Sequence, residues 1–444
     1  MRSTKTFKLN NVQRFKDQLL EWAQDYQEIV WLDSNEFSDT YSQFDAILAA
    51  GAFTALKTDH YNAFSDLQEY QGSVNDWIFG YLSYDLKNDT EELQSNNVDE
   101  LGFPELYFFQ PQKLFLIKGS TVELHYLRML DDQMDADIEE IKELELAPKA
   151  LLTAENNGIG SNSVVEARIS KAVYTEKVEK MLSYIQRGDI YEANFCQEFY
   201  AREVVIDPLQ VYQALNSKST PPFASFLRLE EFCVMSASPE RYLQKIDRRL
   251  VSQPIKGTAR RGASIQEDEQ LKNYLYNDPK ERAENLMIVD LVRNDLSRTA
   301  EKGSVEVSEL CEVHSFRQVH QMISTVTSVL NRDVTGIEAI KQSFPMGSMT
   351  GAPKIAAMKI IEELEESKRG MYSGAVGYFT PTGDFDFNVI IRSILYNSKK
   401  HYASFSVGSA ITSASIPERE YEECLIKAKA MREVLEDNLK ENGF

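Results

Sequence analysis

Ala375-Val-Gly-Tyr-Phe-Thr-Pro-Thr-Gly-Asp-Phe-Asp-Phe-Asn-Val-Ile-Ile-Arg-Ser-Ile-Leu-Tyr396 is the stretch from which the fold is read most directly. Its two ends, Ala375 to Thr380 and Val389 to Tyr396, are rich in β-branched and aromatic residues. Thr382-Gly383 between them is a hairpin-type turn. Similar runs flank it at Ala224 to Leu229, Cys233 to Ser236 and Tyr402 to Val407, with short connections that suit antiparallel pairing. Further upstream, Leu106 to Phe109, Leu114 to Ile117 and Val122 to Leu127 also have strand character. Apolar residues recurring every three to four positions predict helices near Phe15 to Tyr26 and at Glu166 to Arg187, Glu281 to Leu296, Pro353 to Lys368 and Glu418 to Glu441. The expected fold class is therefore α+β, with large, mainly antiparallel sheets layered with helices.

Composition narrows the function. The 444 residues are 43% hydrophobic and 11% aromatic, enough for one large domain or two closely joined ones. Lys plus Arg total 48 against 69 Asp plus Glu, and the net charge of -21 opposes general attraction to nucleic acid or anionic lipid. Cys196, Cys233, Cys311 and Cys424 are too scattered for a zinc site or a disulfide framework, which suggests reduced thiols in a cytoplasmic protein. Neither an apolar leader at Met1 to Asn10 nor a stretch approaching the ~20 apolar residues of a membrane helix is present. The polar stretch Asn88 to Glu100 and the Asn- and Gly-containing segment Glu155 to Val164 read as loops, the second as a boundary.

Four segments carry chemistry. Glu281 and Glu284 stand i, i+3 near one helix start, and Glu420 and Glu423 repeat that spacing after Pro417. Each pair alone is an ordinary acidic helix face; together they could converge on one hard cation such as Mg2+. Ser236-Ala-Ser-Pro-Glu-Arg-Tyr precedes Pro254-Ile-Lys-Gly-Thr-Ala-Arg-Arg-Gly, so Glu240 lies near Lys256 in sequence. A buried lysine can serve as a nucleophile and a protonated carboxyl as a general acid, although a turn lysine is more often simply exposed. Pro345-Met-Gly-Ser-Met-Thr-Gly-Ala-Pro-Lys is a small-residue loop opening a helix, able to offer backbone N–H groups to a carboxylate or a phosphate. It is not a nucleotide P-loop, because Gly351 is followed by Ala352 rather than lysine.

Taken together, these motifs resemble the chorismate-utilising enzymes: anthranilate synthase component I, aminodeoxychorismate synthase component I, isochorismate synthase and salicylate synthase. The resemblance is dense from Tyr174 to Val434; before that, Trp31-Leu-Asp-Ser-Asn is similar to an N-terminal element that lines a tryptophan pocket, regulatory or structural, in the amidating members. It implies an anthranilate synthase component I-like fold, with residues 1–155 forming an N-terminal region that contributes sheet and a tryptophan-type pocket, and residues 165–444 forming the chorismate-binding catalytic region.

Carried over to this chain, Glu284 and Glu423 match direct Mg2+ ligands, and Glu281 and Glu420 match carboxylates acting largely through bound water. Tyr372 and Arg392 match the pair that grips a substrate carboxylate, and Lys427 matches a basic residue one turn past the second metal glutamate. Gly257, Thr258, Ser348, Gly408 and Ser409 match further substrate-contacting positions. Two departures stand out: Ala410 aligns with the second glycine of a Gly-x-Gly, and Gln321 stands where relatives usually carry histidine.

Two positions select the reaction. Isochorismate and salicylate synthases resemble one another in a lysine base where this chain has Glu192, whose Gln counterpart in relatives lies near the incoming nucleophile. At Lys256, anthranilate synthases resemble Pro-Ile-Ala-Gly-Thr and aminodeoxychorismate synthases Pro-Ile-Lys-Gly-Thr. The resemblance thus implies conversion of chorismate and ammonia to 4-amino-4-deoxychorismate, a step toward 4-aminobenzoate and folate, with Lys256 as nucleophile and Glu240 as general acid. Its alternatives are anthranilate synthase component I and a catalytically silent subunit docking a glutaminase. The chain shows no Gly-x-Cys-x-Gly nucleophile elbow, so a separate glutaminase subunit is the expected ammonia source, and another enzyme the expected lyase for the later step.

Overall fold

The computed structural model describes residues 2–37, 40–146 and 165–441. The boundary expected at Glu155 to Val164 lies outside the described residues.

Every ladder between named strands is antiparallel, and the pairings form two arms. One arm runs through Arg2–Lys8, Thr121–Leu127, Leu106–Lys118, Ala46–Thr58, Glu28–Asp33, Phe223–Leu229, Phe232–Ser238, Ser393–Asn397, Tyr402–Thr412 and Glu192–Ala201. The other runs through Ile78–Leu82, Ala375–Phe379, Phe385–Val389, Arg241–Ile246, Arg249–Gln253 and Val319–Val329, with Ile255–Arg260 and Glu306–Ser315 also on that last strand. Leu106–Lys118 belongs to both, because its first residues pair with Ile78–Leu82 and its last with Thr121–Leu127.

Strand periodicity sorts the core into layers. In Phe232–Ser238, Cys233, Met235 and Ala237 join a cluster with the helices Val12–Trp22, Lys171–Arg187, Pro208–Ser219 and Pro417–Glu441, while Phe232 and Val234 face the other way. Those opposite residues meet Val376, Tyr378, Phe79 and Tyr81 of the second arm in a cluster that contains no helix residue. Beyond the second arm, Phe385, Phe387 and Val389 pack on Ala63–Val74, Pro279–Ser297 and Gly336–Ser343. Two sheets therefore face each other with helices outside both. Strands covered on both faces are apolar at consecutive positions, which is why continuous apolar runs marked them in the sequence.

The expected strand from Val389 to Tyr396 is instead two strands that belong to different arms. Phe385–Val389 pairs within the second arm and Ser393–Asn397 within the first. The chain changes sheet at residues 390–392, where Arg392 takes a positive φ of 52°. A second crossing runs from Phe232–Ser238 in the first arm to Arg241–Ile246 in the second, and Glu240 lies on it. The two crossings are tied together by Ala237 N–H donating to Arg392 O at 3.2 Å and Val389 N–H donating to Glu240 O at 3.0 Å. The expected helix at Glu166 begins only at Lys171, where Ser170 accepts from Val173 N–H as its cap; Glu166–Ala167 is a short strand on Glu192–Ala201.

Candidate active site

Sheet-changing residues are freed from the ladders, so their side chains can enter the gap where the arms part. Glu240 and Arg392 lie on the two crossings and act on one another electrostatically. Glu240 is 5% exposed, and its burial pushes the carboxyl up to about 7, offset in part by the Ser348 hydroxyl, the Lys256 ammonium and the Arg392 guanidinium. It is therefore largely protonated at mildly acidic pH and can donate. The Arg392 guanidinium has no hydrogen bond or ion pair among the described residues; burial lowers its pKa and Glu240 counters. A partly buried cationic fork without a protein partner is a receptor for an anion. Tyr372 precedes Ser373, whose N–H donates to Ile390 O on the Arg392 crossing; the Tyr372 phenol is 3.7 Å from Cys196 Sγ and burial raises its pKa.

Lys256 is the second residue of the strand Ile255–Arg260. Its Nζ lies 3.4 Å from Glu192 Oε1, while Glu192 Oε2 is buried without a hydrogen-bond partner. Burial alone would lower the lysine's pKa, but Glu192, Glu284 and Glu240 together raise it, so it is held as the ammonium. Gly257 has a φ of 85°, and a Cβ there would lie 3.0 Å from Glu281 Oε2 and 3.1 Å from Leu275 Cδ1. Only glycine lets this strand lie so close to the helix that carries Glu281 and Glu284.

That helix, Pro279–Ser297, starts with Asp278 accepting from Lys280 N–H and Glu281 N–H, which fixes the first turn facing the Lys256 strand. Burial, joined by repulsion from Glu281 and Glu192, drives Glu284 up to about 7 against the pull of Lys256 and Lys280. Glu281 is raised mainly by burial, whereas Glu423 is lowered by Lys427, at 2.7 Å, and by Lys280 and Lys256 despite its burial. Glu420 is buried and accepts from Ser409 Oγ at 2.7 Å. Lys427 also donates to Gly408 O at 3.0 Å.

Lys280, 3.7 Å from Glu284, lies within electrostatic reach of all four glutamates, so the two helix starts face a common region. Among the described residues no three carboxylates already close into a ready-made metal cage. The donor set nevertheless fits Mg2+: hard carboxylate oxygens from two helices, with an excess of negative charge that raises Glu284, suit an ion that takes one or two carboxylates and keeps water.

The structure also reveals residues that the motifs did not flag. Arg369 and Glu365 form a buried bidentate pair, and Arg369 additionally donates to Asn194 O at 2.8 Å and Met349 O at 2.7 Å. Glu365 Oε1 accepts from Cys196 N–H at 2.9 Å, and Asn194 Nδ2 donates to Ser348 O at 3.1 Å. This network pins Glu192–Ala201, the Gly347–Met349 turn and the Tyr372 segment to one another. Its only sequence signal is a Glu and an Arg spaced i, i+4 past a helix end, which elsewhere marks a surface pair. Gly408 lies opposite Cys196, and a Cβ there would sit 2.3 Å from Cys196 Sγ. Ala410 pairs with Asn194. Gln321 is buried on Val319–Val329 opposite Thr258, whose own side chain is exposed. The Trp31 to Asn35 segment contributes Leu32, Asp33 and Ser34 to a separate cavity with Phe44, Arg241 and Asn388.

Residues 20–433 match the model of the chorismate binding enzyme family. The chain belongs to that family. It is 36% identical over 406 residues to "Probable aminodeoxychorismate synthase, chloroplastic" of Oryza sativa, covering 83% of this chain and 45% of the relative, so it spans under half of that protein. Aminodeoxychorismate synthase component 1 of Bacillus subtilis is 32% identical over 86% of this chain and 80% of its own length. Anthranilate synthase component 1 of Thermus thermophilus is 35% identical over 84% and 79%. Among solved structures, anthranilate synthase component I from Streptococcus pneumoniae superposes with a TM-score of 0.76 at 27% identity, over 89% of this chain and 93% of that one. The fold is anthranilate synthase component I-like, and no helix of the described residues is long and apolar enough to cross a membrane.

Proposed function

We propose that this chorismate-binding enzyme is an aminodeoxychorismate synthase component I, joining ammonia to chorismate at C4. Relatives named for amination and for anthranilate formation are similarly close, so overall similarity does not choose between them. The carrying observation is Lys256, whose ammonium contacts Glu192 and lies within electrostatic reach of Glu240, in a site where an anthranilate-type sequence would have alanine.

Arg392 and Tyr372 hold a carboxylate of the substrate and Ser348 steadies the acid. Lys256 first gives a proton to Glu192, the nearest acceptor at 3.4 Å. The free amine then bonds to C2, the two conjugated ring double bonds each shift by one bond toward C4, and the C4–O bond breaks as Glu240 protonates the leaving hydroxyl to water. Ammonia bonds to C4 and passes a proton to the Glu240 carboxylate; the double bonds return and Lys256 leaves C2, recovering its proton from Glu192. The enolpyruvyl group is untouched. Mg2+, held by Glu284 and Glu423 with Glu281 and Glu420 acting through water, would supply charge neutralisation for a bound carboxylate. A glutaminase subunit is the proposed ammonia source.

The test is mass spectrometry of products after incubation with chorismate, Mg2+ and an ammonium salt at alkaline pH. Aminodeoxychorismate, with a protein adduct lost in Lys256→Ala, supports the reading. Anthranilate with pyruvate would replace the reaction while keeping the family, and isochorismate would refute amination.

A further inference from the structure

Lys280 belongs to none of the site motifs, yet, like Lys256, it interacts with carboxylates of both helices, and it does so from the exposed rim beside Glu284. Its Nζ lies 3.7 Å from Glu284 Oε1, and its side chain is 54% exposed, so it can leave as readily as it docks. Glu284, Glu420, Glu281 and Glu423 all favour its charge, and it in turn lowers the pKa of Glu281, Glu284 and Glu423. Lys427 differs: it is fixed by both Glu423 and the carbonyl of Gly408, which ties it to the strand.

We infer that Lys280 is a tethered counter-cation that holds the glutamate cluster together without metal and must be displaced when a divalent cation binds, so that it sets the metal affinity. The inference rests on the metal assignment proposed above. A monovalent ammonium neutralises the cluster only in part, and a dication entering the same field repels it at a few ångströms. Removing Lys280 therefore relieves a competitor for the bound metal and leaves the metal-free carboxylates repelling one another. Exposure screens the effect, so about a tenfold gain in affinity is expected rather than the hundredfold or more of a buried competitor.

The experiment titrates Mg2+ into the purified full chain by calorimetry, without chorismate, for wild type, Lys280→Gln and Lys280→Arg, and records thermal melts in excess chelator. Expected is Mg2+ binding about tenfold tighter in Lys280→Gln, wild-type affinity in Lys280→Arg, and a lower melting temperature for Lys280→Gln in chelator only. Equal or weaker binding by Lys280→Gln overturns the inference while leaving the metal site standing. Failure of wild type and both variants to bind Mg2+ or Mn2+ overturns the metal assignment itself.

Discussion

Two groups of charge meet on the strand Glu192–Ala201 and are built in opposite ways. Arg369 and Glu365 satisfy one another with two hydrogen bonds, and their remaining capacity goes to backbone groups of two other segments, the strand Glu192–Ala201 and the Gly347–Met349 turn. Glu240 and Glu192 are as withdrawn from water, Lys256 and Arg392 are partly so, and all four are incompletely paired: Glu192 Oε2 has no partner, Glu240 is pushed up to about 7, and Arg392 has no ion pair among the described residues. The first group spends its charges on holding segments in place. The second leaves capacity open for a substrate carboxylate and for proton transfer.

The comparison fails most visibly if the open group proves dispensable. Lys256→Ala is expected to lower amination by about 10⁴-fold or more, measured by product formation, while its melting temperature falls less than that of Arg369→Met, because Glu192 loses one 3.4 Å contact where Glu365 loses two close hydrogen bonds. Activity within tenfold of wild type would remove the lysine from the chemistry. Glu240→Gln is expected to cost about 10³-fold in kcat. Its pH dependence has a definite sign: the acid form acts, so wild-type kcat falls as pH rises through about 7, and this limb vanishes in the variant. Stability follows the same proton. The folded pKa lies above the ordinary carboxylate value of 4.5, so the stabilisation from this proton is complete below that value and is lost as pH rises to about 7. Glu240→Gln should therefore gain stability relative to wild type between pH 5 and 8 in denaturant titrations.

For the closed group the expected effect is on folding. Arg369→Met strands Glu365 in the core and is expected to cost about 3–5 kcal/mol in urea unfolding, whereas Arg369→Met with Glu365→Leu should recover much of that loss. Activity lost without stability lost would move this pair into the active group. Smallest is Gly408→Ala, where the new Cβ meets Cys196 Sγ and the backbone of Phe195; about 1–3 kcal/mol is expected, relieved in part by Cys196→Ala.

The motif residues were legible because their spacing is local. Glu281 with Glu284 and Glu420 with Glu423 are each one helical turn apart, and the helices do begin just before them, at Pro279 and Pro417. The hairpin turn at Thr382-Gly383 was equally legible, since Gly383 takes the positive φ of 77° that glycine tolerates. The paired strand was not, because Phe385, Asp386, Phe387 and Asn388 alternate against a different partner from the apolar run that follows. Thr258 illustrates the reverse limit: a family position identifies a residue, but here its side chain is exposed on the strand.

Sequence alone determined the antiparallel α+β class, the turn, the two glutamate pairs and the family, because periods of two and 3.6 residues and short motifs are properties of neighbouring positions. Tertiary structure decided where the chain changes sheets, that Glu240 and Arg392 occupy adjacent crossings, and that Lys280, 3.7 Å from Glu284, lies within electrostatic reach of carboxylates from two helices. Arg392 at positive φ has no local preference for that conformation. It is held there by strands on both sides that pair with partners more than a hundred residues away in sequence, and no short window of sequence contains that constraint.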